Sequence, residues 1–154
     1  MQIDIIAVDK LRNDWARSGV AEYVARIERY CPVERKYVKP SKKTGAEGLE
    51  EEGQRLLKIA TIGPRDRLVA LAPQAESLAS EGWARLLDAW RVDGVRRAVF
   101  AVGGADGLAP AVIAAADRRI ALGAQTLAHE LAQVVLVEQL YRAWTIVRGE
   151  PYHH

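Results

Sequence analysis

The feature that most constrains this chain is an alternation. Short apolar runs of strand length recur between longer stretches whose apolar residues fall at helical spacing. The first run, Ile3 to Val8, is apolar apart from Asp4, as a buried strand would be. Val20, Tyr23, Val24 and Ile27 then share a helical face over about Asp14 to Tyr30, and Pro32 stops that helix. Val33 to Lys39 reads as a second strand and Pro40 to Gly45 as a polar, basic loop. Glu47 to Ala60 reads as a helix carrying Leu49, Leu56 and Leu57, closed by Gly63-Pro64. Arg67 to Leu71 is a third strand. Ser77 is the predicted cap of the next helix, whose Trp83, Leu86, Leu87 and Trp90 fall at i, i+3, i+4 and i+7; Gly94 is its stop. Ala98 to Val102 is wholly apolar, so it is expected at the centre of the sheet. A short helix from about Pro110, a short strand around Arg119 to Leu122, and a last helix from His129 or Glu130 to about Val147 complete the pattern.

This alternation predicts an α/β fold: a mainly parallel sheet flanked by helices, in one domain spanning 1–154. Such sheets bind ligands beyond the carboxyl ends of their strands. The loops after Leu71, Val102 and Leu122 are therefore the places to search for a site. The last helix carries Val137, Leu140, Tyr141 and Trp144 on one face, yet Leu131, Val134, Val135 and Leu136 make other faces apolar too. A helix apolar on several sides is usually buried on several sides, and in so small a protein a partner subunit can supply the second cover.

Composition excludes several classes. No apolar run approaches the roughly 20 residues of a membrane helix. The opening MQIDIIAVDK lacks a basic n-region and is not expected to be a signal peptide. Cys31 is the only cysteine, which fits a reducing cytoplasm; beside Pro32 at a helix end it reads as a packing residue. A net charge of +2 does not announce a nucleic-acid binder. Two local clusters, Arg35, Lys36, Lys39, Lys42 and Lys43, then Arg96 with Arg97, read on charge alone as solvated faces.

Gly103-Gly104 directly follows the central strand. The pair allows close approach of a ligand to the backbone, or simply a tight turn. GGADGLAP lacks the Lys and Ser/Thr of a phosphate loop and the spacing of a dinucleotide fingerprint. Leu122-Gly123-Ala124-Gln125-Thr126-Leu127 is small, apolar and uncharged, suited to holding an aromatic base through backbone hydrogen bonds. The chain ends Gly149-Glu150-Pro151-Tyr152-His153-His154. Histidine is the side chain readiest to move protons near neutral pH, although chain ends are often frayed and terminal histidines can be a tag remnant. No Cys/His/Asp spacing supports a metal site.

Together, GGADGL, LGAQTLAHE and VEQLYRAWTIVRGEPYHH, in this order and spacing, resemble the SPOUT-class ribosomal RNA large subunit methyltransferase H family. IDIIAVDKLR and EEGQRLL fit its amino-terminal half, so the resemblance covers essentially the whole chain. It implies transfer of a methyl group from S-adenosylmethionine to N3 of a pseudouridine in a hairpin loop of 23S ribosomal RNA. It also implies a homodimer and a C-terminal trefoil knot that connection rules alone would reject; a methyl group already activated on a sulfonium needs no metal. By position, it assigns cofactor contacts to Leu71, Gly103 and the loop Leu122, Gly123, Ala124, Gln125, Thr126 and Leu127. Tyr152 and His153 match a tail that closes over the site, across the dimer interface. Arg142 matches an arginine able to meet RNA phosphate or the methionine carboxylate, and His129 a histidine beside the knot loop; for His129 a packing role at the helix start is equally compatible.

The imide proton at N3 is too weakly acidic to leave freely at neutral pH, so a base would help. His153 is the candidate, with Tyr152 stacking on or hydrogen bonding to the nucleobase; alternatively His153 only packs there. Where family members carry Arg and often Pro or Gln, this chain has Gln133 and Glu130, which bears on the RNA surface. His154 stands where Lys or Arg is frequent. Another ribosomal or transfer RNA site, or a non-catalytic RNA-binding module, are the competing readings. With so little net charge, the expected substrate is an assembled ribosomal particle.

Overall fold

The computed structural model describes residues 1–154. Ten elements alternate: β1 (Gln2–Val8), α1 (Asp14–Ile27), β2 (Val33–Val38), α2 (Gly45–Ala60), β3 (Asp66–Ser77), α3 (Ser80–Val92), β4 (Arg97–Val102), α4 (Pro110–Ala115), β5 (Arg118–Ala121) and α5 (His129–Arg148). The five strands form one parallel sheet in the order β2-β1-β4-β3-β5. β4, wholly apolar from Ala98 to Val102, is the central strand, as expected.

Side-chain alternation along the strands builds two cores. Ile5, Phe100 and Val69 lie in register across β1, β4 and β3. They pack with Trp83 and Leu87 of α3 and Leu136, Val137 and Leu140 of α5. The neighbouring positions Ile6, Val99, Ala101 and Leu68 face the other way, towards Leu56 of α2 and Val112 of α4. Helices thus cover both faces, which is why β1 and β4 are apolar at nearly every residue.

The sheet departs from expectation at β3. It runs to Ser77, because Glu76 and Ser77 resume pairing with Ile120 and Ala121 of β5 after a bulge that follows Leu71. Ser77 is consequently a strand residue, and Ala79 occupies the cap position of α3. The break coincides with Pro73, which has no amide to give to a ladder.

The Arg96–Arg97 pair is only half a solvated face. Arg97 lies inside the protein, its guanidinium 3.0 Å from Asp4 and 2.9 Å from Asp66, with the carbonyls of Ala60 and Thr61 each accepting at 2.7 Å. This accounts for the one acidic residue in β1: Asp4 is buried because a cation from the neighbouring strand meets it. Burial alone would raise the Asp66 carboxyl. The Gly63 amide and the guanidinia of Arg96 and Arg97 instead hold it below the ordinary aspartate value.

Cys31 is buried, and burial pushes its thiol up to about 11, which agrees with a packing role.

Candidate active site

The bulge of β3 and the carboxyl ends of β4 and β5 open onto a cavity of about 360 Å³, within the range of small-molecule sites. Its walls come from five segments, one of them α4, through Ile113. The β3 bulge contributes Leu71, Ala72, Pro73 and Gln74, and the loop after β4 contributes Gly103 to Leu108. The loop after β5 contributes Leu122, Gly123, Gln125, Thr126 and Leu127, and the first turn of α5 contributes His129 and Ala132. The lining contains no lysine or arginine, and Asp106 is its only carboxylate.

The glycine loop is a close approach of backbone to backbone. A Cβ on Gly103 would lie 2.2 Å from the Gly107 carbonyl, so no larger residue fits. The loop is closed by the Gly107 amide donating to the Gly104 carbonyl at 3.2 Å.

The segment after β5 starts at one edge of the sheet and ends beyond β1. There Glu130 accepts from the backbone amide of Arg12 and from the amide groups of Asn13, in the turn that precedes α1. Those donors hold its carboxyl below the usual range. Glu130 therefore ties α5 to the start of α1 and is itself buried. Gln133 is buried as well, 1% exposed, and is likewise withdrawn from the surface.

The cavity gathers Leu71, Gly103, Leu122, Gly123, Gln125, Thr126 and Leu127; Ala124 is exposed beside it. His129 lines the cavity, its buried Nε2 without a partner. Arg142, Tyr152 and His153 lie elsewhere. The tail folds back along its own α5. The Tyr152 hydroxyl donates to Glu138 Oε1 at 3.1 Å, and its ring meets Tyr141 edge-on at 4.7 Å. Arg142 pairs with Glu138 and lies 4.7 Å from the Tyr152 ring centre. Burial, the Tyr23 hydroxyl and Glu138 raise the Tyr152 phenol well above its ordinary value. His153 Nε2 is 3.0 Å from Glu81 Oε1 at the start of α3.

Sequence reasoning missed Pro73, Gln74 and Asp106 as lining residues. Pro73 was the available signal: a proline just past an apolar strand marks a bulge or an edge.

A family model described as a predicted SPOUT methyltransferase matches residues 1–153. The chain is 40% identical to the ribosomal RNA large subunit methyltransferase H of Geotalea uraniireducens, over the whole of both chains. It is 45% identical to the protein of the same name from Anaeromyxobacter sp. strain K, covering 99% of each. A probable methyltransferase from Bordetella pertussis shares the fold, with a TM-score of 0.56 over 92% of this chain and 93% of that one at 12% identity. With matches of this length across the whole fold, the chain belongs to the SPOUT methyltransferases, in the family named ribosomal RNA large subunit methyltransferase H.

Proposed function

We propose that this protein transfers a methyl group from S-adenosylmethionine to N3 of a pseudouridine in 23S ribosomal RNA, as a cytoplasmic homodimer. The observation that carries the cofactor reading is the lining of the cavity: small and apolar loops with one carboxylate, Asp106, and no lysine or arginine. A phosphorylated nucleotide would meet no countercharge there. An adenosine held by backbone groups of Leu122 to Leu127, with a sulfonium in the field of Asp106, fits the donor set. Bound S-adenosylmethionine supplies a methyl group already activated on sulfur, so the chemistry asks no metal of the protein.

The protein must then hold the nitrogen nucleophile in line with that methyl carbon and take up the imide proton. His153 is the residue for the proton, and Tyr152 for stacking or hydrogen bonding to the nucleobase. Neither lines the cavity of its own chain. The α5 helix starts at the cavity, and the tail beyond it folds back to dock on Glu138, midway along that helix, and on Glu81 at the start of α3. The tail that completes a site therefore comes from a second copy. Trp15 and Leu131, 55% and 39% exposed on the first turns of α1 and α5, which Glu130 ties together, are the apolar surface for that copy. The traverse from β5 past β1 is the path on which we place the trefoil knot.

The test is methyl transfer from labelled S-adenosylmethionine to ribosomes that lack the modification. Wild type is expected to label the 23S hairpin, and His153→Ala to lose at least about 100-fold in kcat, the usual worth of a general base, with cofactor affinity unchanged. Equal labelling by both would remove His153 as the base. Cofactor binding with no transfer by wild type would refute the ribosomal assignment. Mixing His153→Ala with Gly103→Asp separates the two subunit arrangements. In a two-fold dimer with the tail acting in trans, random exchange restores about a quarter of wild-type activity; with the tail acting in cis it restores none.

A further inference from the structure

The densest run of cations in the chain plays no part in the cavity. In the fold, Lys39, Lys42 and Lys43 of the loop after β2 come together with Arg55 and Lys58 of α2 around a groove of about 680 Å³. Its one carboxylate, Glu51, is already engaged by the Ser41 hydroxyl and by Arg55 at 2.9 Å. Arg55 also donates to the carbonyls of Lys39 and Pro40, fastening the loop to the helix. Lys43 is paired with Glu47. Lys39, Lys42 and Lys58 are exposed and make no ion pair, so the groove presents three uncompensated charges on a rigid frame. A chain of net charge +2 has few such charges to concentrate.

Position adds a second argument. The sheet is parallel, so the loop after β2 opens on the same edge as the cavity. The order β2-β1-β4-β3 puts two to three strand spacings between them, roughly 10–15 Å. The two sites share a support: Glu52 of α2 accepts from the Ser41 amide at 2.8 Å, and its other oxygen lies 3.6 Å from where a Cβ of Gly104 would be.

We infer that this groove grips the RNA phosphate backbone a few nucleotides from the methylated base. The inference rests on the ribosomal RNA reading above. Three separate, solvated ammonium groups suit successive phosphates of a strand better than one enclosed anion, and they neutralise without reading sequence.

The test is retention of large ribosomal subunits, and of their deproteinised RNA, across a potassium chloride series. Wild type is compared with Lys39→Gln/Lys42→Gln/Lys58→Gln. A control, Arg65→Gln/Arg91→Gln/Arg118→Gln, removes the same charge near the opposite edge of the sheet. The groove variant is expected to lose about 10-fold or more in affinity for both targets. Its slope of log affinity against log salt should be shallower by about two to three, near 0.7–0.9 per phosphate. Unchanged affinity and slope, or equal losses in the groove and control variants, would overturn the inference. Loss on intact subunits but not on bare RNA would overturn it in favour of an acidic protein surface. Methyl transfer, followed in the same samples, keeps the two readings apart: groove-dependent binding by a wild type that labels neither target supports the groove and removes the ribosomal substrate.

Discussion

At the residue scale, two side-chain positions carry consequences that measurement can reach. Gly103 sits where a Cβ would strike the Gly107 carbonyl, so Gly103→Ala must displace the loop that walls the cavity. The expected result is a loss of at least about 10-fold in S-adenosylmethionine affinity, or about 1.4 kcal/mol, measured by calorimetry, with the fold intact. Asp66 is the second. Its folded value is depressed, so its contribution to stability is complete above the unfolded aspartate value of about 3.9. That contribution is lost as pH falls through the lower folded value. Asp66→Asn should lower stability near neutral pH by about 1.5–3 kcal/mol, the range for a hydrogen bond to a charged partner. Between pH 5 and pH 2 the variant should lose less further stability than wild type in thermal unfolding. Parallel curves would mean that Asp66 is not ionised against Arg97.

At the scale of elements, α2 is held against α4 at very short range. A Cβ on Gly53 would lie 2.4 Å from the Ala109 Cβ, just before α4 begins. Gly53→Val should therefore cost about 1–3 kcal/mol through overpacking, read from urea unfolding. The glycine loop, directly upstream of Ala109, should loosen with it and weaken cofactor binding. An unchanged unfolding midpoint would show that α2 can slide without cost. The α5 helix serves two sites at once: its first turn walls the cavity, and Glu138 and Tyr141, midway along it, receive the tail.

At the scale of the whole molecule, the cavity and the tail of one chain do not meet, so association is expected to be a condition of activity. Light scattering should give a mass near twice 17.0 kDa. Trp15→Asp/Leu131→Asp should shift the protein to monomers, abolish transfer and leave cofactor affinity within about threefold, because neither residue lines the cavity. A monomeric variant with full activity would place the tail in cis and refute the shared site.

Much of the fold was legible in local pattern. Strand and helix periodicity marked all ten elements, and the wholly apolar run Ala98 to Val102 marked the centre of the sheet, because a strand covered on both faces has no polar side to show. The two glycine-bearing loops were legible as well, since they follow strands at the ligand-binding edge. Chain pattern could not assign partners to charges. Arg97 and its exposed neighbour Arg96 look alike in sequence; only the pairing of β1, β4 and β3 puts one of them between Asp4 and Asp66. Glu130 became a tie to the turn before α1 because a crossing of the sheet edge brought it there. Lys39, Lys42 and Lys58 became one groove for the same reason, across two elements. The sequence by itself determined which segments are strand, helix and site loop, because those depend on spacing along the chain. Tertiary structure alone decided which charges are buried, which face solvent together, and where on its own chain the tail docks, because those depend on distances between residues far apart in the chain.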